Sequence, residues 1–158
     1  MQKYKFAAVF MILVQIIGAA SADVAGVPTV TDGDSLRFGD ARVRLFGIDA
    51  PESKQTCERD GVMWLCGQEA VKSLRELVAG QSVVCDERNK DRYGRIVAVC
   101  VLPDGRDIGT VMVLSGLALD YAQYSNGMYK AAENEAREAG RGMWSGYFVK
   151  PWEWRRKK

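Results

Sequence analysis

Histidine is absent from all 158 residues. That one lack removes Ser-His-Asp and Cys-His nucleophilic systems, His-Glu-x-x-His proteases and nucleases that rely on an imidazole base. Cysteine is sparse, with only Cys57, Cys66, Cys85 and Cys100. None of them forms a Cys-x-x-Cys pair, so the competing zinc reading has neither paired thiolates nor an imidazole to complete a mixed site. Long apolar runs are missing outside the first 22 positions, and Phe6 to Ile17, interrupted by Gln15, falls short of the ~20 residues that span a bilayer. Nor does either sign of charge dominate: 22 basic residues, two of them in the leader, face 20 acidic ones. Without that leader the chain is formally neutral, so any attraction to phosphate must come from local clusters of charge. What remains for chemistry is carboxylate, guanidinium, ammonium, phenol and a bound metal.

Lys3 and Lys5 precede the apolar run, and Gly18-Ala19-Ala20-Ser21-Ala22 follows it with small residues suited to signal-peptidase cleavage. Residues 1–22 are therefore expected to be a signal peptide, residues 23–150 one domain and residues 151–158 a basic tail with a mobile tip. Export implies a secreted or periplasmic protein with no stable membrane association after cleavage. In an oxidising compartment the four cysteines read as two disulfides, for which sequence allows three pairings. Cys57 with Cys66 closes a short loop, and Cys85 with Cys100 staples two neighbouring strands; this is the favoured arrangement.

Alternation and turn residues predict strands at Val27 to Thr31, Ser35 to Phe38, Ala41 to Gly47, Val83 to Asp86 and Arg95 to Val101. Ala70, Val71, Leu74, Leu77 and Val78 recur at helical spacing within Gln68 to Val78, and Gly80 ends the run. Two further helices are expected at Ile108 to Leu114 and Met128 to Ala139. The order fits an α+β domain: a five-stranded OB-type β-barrel, its strands antiparallel, with about three α-helices.

A turn at Gly39-Asp40 folds Ser35 to Gly47 into a hairpin, which returns Asp32 and Asp34 to the neighbourhood of Asp49 and Glu52. The unequal arms require a bulge or bend near Gly47. Crowded carboxylates repel one another unless a cation joins them, and oxygen-only donors favour calcium or magnesium over zinc or copper. Pro51 restricts Ala50 before it and so holds the Ala50 carbonyl as a further oxygen ligand. The plainer reading makes Asp34 and Asp49 turn residues that brace local backbone. Strand alternation sets Arg44 opposite Val43 and Leu45, pointed either at solvent or at the acids. A second basic group, Arg88 to Arg95, reads by itself as a charged hairpin loop.

Taken together, Asp32-Gly33-Asp34-Ser35, Val43-Arg44-Leu45-Phe46-Gly47-Ile48-Asp49-Ala50-Pro51-Glu52, Asp91-Arg92-Tyr93-Gly94-Arg95, Gly116-Leu117-Ala118 and Gly142-Met143-Trp144 resemble the staphylococcal nuclease (thermonuclease) family. The likeness runs in order through nearly all of the chain after residue 22. It implies a bacterial-type member, here exported and with four cysteines additional to the simplest members, in which Asp34 and Asp49 bind Ca2+ through carboxylates and Ala50 through its main-chain oxygen. It further implies Glu52 as general base, Arg44 and Arg95 as holders of the scissile phosphate, and Arg92, Tyr93, Tyr121 and Tyr124 as substrate contacts. Ala50 stands where some members carry a hydroxyl residue, a departure of small consequence if only the backbone oxygen is used.

The function implied is a calcium-dependent nuclease, acting on DNA and RNA as endonuclease or exonuclease with weak sequence preference. Single strands would be favoured, a 3′-phosphate would be left, and the chain would act as a monomer. The alternative is a noncatalytic OB-type module that binds nucleic acid or another acidic polymer. Loss of the metal acids or arginines would favour that module, whereas Asp34, Asp49, Glu52, Arg44 and Arg95 are all present.

Overall fold

The computed structural model describes residues 24–157, so the expected signal segment lies outside the described residues. The chain opens with β1 (Val24–Gly26) and β2 (Thr29–Asp32), then forms the hairpin of β3 (Ser35–Phe38) and β4 (Ala41–Leu45). It turns at Gly47 into the two-residue β5 (Ile48–Asp49). A second, small hairpin follows, β6 (Cys57–Arg59) and β7 (Val62–Trp64), leading into α1 (Cys66–Val78). Next come β8 (Val83–Lys90), β9 (Ile96–Val101), α2 (Ile108–Leu114) and β10 (Leu119–Asp120). The remainder is helical: α3 (Ala122–Ser125), α4 (Lys130–Glu138), a 3-10 turn at Gly142–Ser145 and α5 (Pro151–Arg156).

Six strands form one curled sheet in the order β1-β8-β9-β4-β3-β2, the half-barrel of an α+β, OB-type fold. The β3–β4 register pairs Ser35 with Arg44 and Leu36 with Val43, and a register shift between Val30 and Asp32 bends β2 against β3. Uniformly antiparallel strands are not what the fold uses, because β9 runs parallel to β4, with Arg44 beside Val97. The crossover through α1 and the long β8–β9 hairpin make that pairing, which no local pattern encodes. β8 also continues to Lys90, since ladder pairing with Ile96 and Val97 holds the charged stretch that sequence assigned to a loop.

Helix α1 buries Ala70, Leu74 and Val78, one residue per turn, against a core that includes Leu36, Val43, Leu45 and Ile108, while Cys66 at its start enters a second, small cluster. Full burial of Leu74 and Val78 contributes about 1.5–3 kcal/mol each. Asp107 starts α2 by accepting from the backbone N–H groups of Gly109 and Thr110, so Ile108, Met112 and Val113 enter the core in order. Both expected disulfides are formed, Cys57 with Cys66 and Cys85 with Cys100, the latter joining directly opposed residues of β8 and β9.

Helices exceed the expected number because α3 and α5 are too short for periodicity to announce them. The larger difference is at the end of the chain, where the basic tail folds as α5. Pro151 is buried at its first turn, and Trp152 packs against a small cluster of Cys57, Cys66, Leu119 and Met143. Apolar burial, which a run of terminal charges conceals, anchors the helix.

Candidate active site

One end of the sheet gathers the acids. Asp34 lies in the turn between β2 and β3, only 3% exposed, and its Oδ1 accepts from the Ser35 hydroxyl at 3.1 Å. Its Oδ2 accepts from the backbone N–H of Ala50 at 3.0 Å, which ties the Asp-Gly-Asp turn to the Asp49-Ala50-Pro51 segment. Gly33 makes that approach feasible: a Cβ there would stand 2.8 Å from the Ala50 Cβ and 3.0 Å from that of Ala70. Asp49, at the end of β5, is wholly buried at 0% exposure.

Arg44 stands between the two acids. It pairs through Nη1 with Asp34, and its Nη2 donates to Asp49 Oδ1 at 2.7 Å and to the Ile48 carbonyl at 3.2 Å. The strand face facing the acids is thus the one Arg44 takes. Burial alone would push the Arg44 guanidinium down, but Asp34 and Asp49 more than reverse this, leaving it raised. Burial holds Asp49 above the ordinary carboxylate range, even against a hydrogen bond from Arg155, and repulsion from Asp34 adds to the rise. Asp32 is raised as well, first by burial and then by Asp34 and Glu52.

The loop carrying Glu52 is braced from three directions. Gln55, fully buried, accepts from the Glu52 N–H at 3.3 Å and donates from its own N–H to the Glu52 carbonyl at 2.7 Å. Its amide Nε2 donates to the Val149 carbonyl at 2.6 Å, linking the loop to the entry of α5. Cys57, just past it, is fastened to Cys66 at the start of α1. Gln55 sits in a short polar loop and carries no sequence signal that separates it from its neighbours.

Arg95 does not join the acids. Its Nε donates to Asp91 Oδ2 at 2.7 Å, while Asp91 Oδ1 accepts from the N–H groups of Tyr93 at 2.9 Å and Arg95 at 3.0 Å. Against a burial contribution that acts upward, these bonds hold Asp91 below the usual carboxylate value. Asp91 is therefore the brace of the Asp-x-Tyr-Gly-Arg turn, a role visible in hindsight because an aspartate opens a tight turn closed by glycine. Arg42 reaches the same turn, donating to the Tyr93 carbonyl at 2.8 Å. The guanidiniums of Arg92 and Arg95 lie 4.9 and 5.7 Å from the Tyr93 ring centroid, and that ring is 58% exposed. Since β4 and β9 run parallel with Arg44 opposite Val97, Arg95, two residues earlier, falls on the same sheet face as Arg42 and Arg44.

Tyr121 and Tyr124 pack edge to face at 4.8 Å. Tyr121 also stacks on Trp152 at 4.9 Å with planes 3° apart, and both line a cavity of about 430 Å³ with Lys130, Lys150 and Arg156. Sequence placed Trp152 and Arg155 only in a basic tail and gave neither a role at the site. Arg155, from α5, donates through Nη2 to Asp49 Oδ2 at 2.7 Å and through Nη1 to Glu52 Oε1 at 2.8 Å.

Among the described residues no three histidine, cysteine, aspartate or glutamate side chains converge as a metal cage by themselves. The expected set of two carboxylates and a main-chain oxygen asks for less. Asp34 and Asp49 are close enough for one guanidinium to bridge them, and the Ala50 backbone touches Asp34. Among the described residues, Asp34, Asp49 and Glu52 pair with two guanidiniums, those of Arg44 and Arg155, and Asp32 stands near them without an ion pair of its own. In donor type and in charge the residues suit a hard divalent cation.

Comparison with known proteins adds independent weight. Residues 42–146 match the profile described as Staphylococcal nuclease homologue. An "Uncharacterized endonuclease" of Escherichia coli is 39% identical over 144 residues, covering 87% of this chain and 88% of that protein. "Succinoglycan biosynthesis protein ExoI" of Rhizobium meliloti (strain 1021) is 35% identical over 127 residues, 79% of this chain and 66% of that one. "Staphylococcal-like nuclease CAN1" of Arabidopsis thaliana is 39% identical over 119 residues, 74% of this chain and 34% of the plant protein. With the motifs in order, the acids and arginine gathered at one sheet end and these matches spanning most of its length, the chain belongs to the staphylococcal nuclease homologue family.

Proposed function

We propose that this chain is a calcium-dependent nuclease, a phosphodiesterase that hydrolyses DNA and RNA with weak sequence preference. The observation that carries the reading is the meeting of Asp34, Arg44, Asp49 and Glu52 at one end of the sheet, with Arg95 on the same face as Arg44. Asp34 and Asp49, with the Ala50 carbonyl, would hold the cation, which when bound supplies positive charge beside the phosphate oxygens.

The chain's own groups account for the rest. Glu52 takes a proton from the attacking water as the new oxygen–phosphorus bond forms. The bond from phosphorus to the 5′ oxygen breaks opposite it, and the departing oxygen takes its proton from solvent, leaving a 3′-phosphate. Arg44 and Arg95 bind non-bridging phosphate oxygens, where negative charge builds during attack. Tyr93 and Arg92 offer a stacking and cationic surface indifferent to base identity, which suits unpaired strands, and Tyr121 with Tyr124 would supply separate substrate contacts. Both disulfides fit action in an oxidising compartment, secreted or periplasmic, and no described helix is long and apolar enough to cross a membrane. Residues 23–150 form the catalytic domain on this reading, with α5 as its appendage, acting as a monomer.

Denatured DNA incubated with the purified chain, with calcium or with a chelator, tests the proposal. Degradation should require calcium and vanish in Glu52→Gln and Arg95→Ala. Tight binding that leaves DNA intact under every condition would instead establish the noncatalytic module.

A further inference from the structure

Arg155 lies 106 residues from Asp49 along the chain, yet its Nη1 and Nη2 donate to the two Asp49 oxygens at 3.1 and 2.7 Å. The same Nη1 donates to Glu52 Oε1 at 2.8 Å, so one guanidinium spans both carboxylates. The helix that presents it is fixed on either side. Pro151 is buried, Trp152 stacks on Tyr121, and Gln55 grips the Val149 carbonyl just upstream.

Asp49 is the point of conflict. A carboxylate offers about four acceptor positions, and here Arg44 fills one and Arg155 two. Asp49 is entirely inaccessible, whereas the Arg155 side chain is 38% exposed and stands over it. A second cation drawing on Asp49 would meet both a shortage of acceptor positions and repulsion from a like charge. Burial lowers the tendency of Arg155 to hold its proton, but its bonds to Asp49 and Glu52 outweigh that, so the guanidinium stays charged.

We propose that Arg155 is a positioning residue of this site: an internal counter-cation that holds Asp49 and Glu52 in place in the metal-free chain and competes with a divalent cation for Asp49. The inference rests on the assignment of Asp49 as a metal ligand. Metal entry then releases Arg155 from Asp49, while α5 stays docked through Pro151 and Trp152. The C-terminal helix thereby sets how tightly the site takes its ion.

Calorimetric titration of the wild type, Arg155→Gln and Arg155→Lys with calcium chloride tests this. Relief from breaking charge-assisted hydrogen bonds should tighten calcium binding by about tenfold or more in the Gln variant, with Lys between the two. In chelator the Gln variant should melt below the wild type, and saturating calcium should narrow that gap. A residue that merely supports the fold would lower the melting temperature without tightening calcium. Unchanged or weaker calcium affinity in Arg155→Gln overturns the inference, and so does calcium binding to neither form. DNA hydrolysis by the same preparations reports separately: tighter calcium without hydrolysis sinks the nuclease reading alone, and hydrolysis with unchanged affinity sinks this inference alone.

Discussion

Gly67 is the second residue of α1, and its N–H donates to the Gln55 carbonyl at 3.2 Å. Replacing it with alanine would place a Cβ 1.7 Å from the Glu52 carbonyl oxygen, 2.6 Å from the carbon behind it and 3.0 Å from the Ser53 carbonyl carbon. Two effects of opposite sign then compete. Helix propensity favours alanine by about 1 kcal/mol. Overpacking costs about 1–3 kcal/mol, and the upper end applies because backbone, not a flexible side-chain tip, must move. The net expectation for Gly67→Ala is a loss of about 1–2 kcal/mol, a fall of about 3–8 °C in melting temperature. Activity should suffer more than stability, since the displaced segment is the one that carries Glu52, and a displacement of about 1 Å costs on the order of a hundredfold in rate. Urea titration and initial rates on denatured DNA, measured on the same preparation, give both numbers. A variant at least as stable as the wild type, with unchanged hydrolysis, would refute the close-approach argument.

Asp91 gives a pH signature. Its folded value lies below the ordinary 3.8, so its stabilising contribution is present above that pH and is lost as pH falls through the folded value. Melting curves of wild type and Asp91→Asn should therefore differ near neutrality and converge in acid below 3.8. Substituting both Cys57 and Cys66 by alanine should lower the unfolding free energy by about 2–4 kcal/mol in urea titration. It should also reduce kcat more than it raises KM, because the tether of the Glu52 loop is lost while the Arg95 turn is untouched.

What could be read in the sequence divides by the range of the interaction. The β3–β4 hairpin was legible because alternation and a Gly-Asp turn are local, whereas the register that sets Ser35 beside Arg44 was not, since unequal arms leave the position of the bend open. Gly47 supplies the expected bend, with φ of 67°, between β4 and β5. The disulfides were legible for a similar reason: nine residues separate Cys57 from Cys66, and Cys85 meets Cys100 across adjacent strands. The parallel pairing of β4 with β9 was not, because it depends on how a crossover helix packs. Arg155 was hidden by composition. Four consecutive basic residues at a chain end read as solvated, and nothing local reports that Pro151 and Trp152 dock the helix and aim one of the four at Asp49. Gln55 fails in the same way, since its partners are a loop neighbour and Val149, 94 residues away.

On the proposed function, the arrangement of donors would couple metal and substrate. Arg44 has five N–H donors, and in this structure its two terminal nitrogens are engaged with Asp34, Asp49 and the Ile48 carbonyl. Those bonds leave little of the guanidinium for the phosphate of the proposed function, although strand pairing puts Arg42, Arg44 and Arg95 on one face. Unneutralised, Asp32, Asp34, Asp49 and Glu52 would also repel the same phosphate. On the proposed function, a divalent cation compensating the acids would remove that repulsion and would return Arg44 donors to the phosphate. If both bind as proposed, linkage requires a bound phosphodiester to strengthen metal binding by the same factor. In a chain whose basic and acidic residues nearly balance, the proposed affinity for a polyanion would have to reside in such a local exchange of partners and not in the charge of the whole molecule.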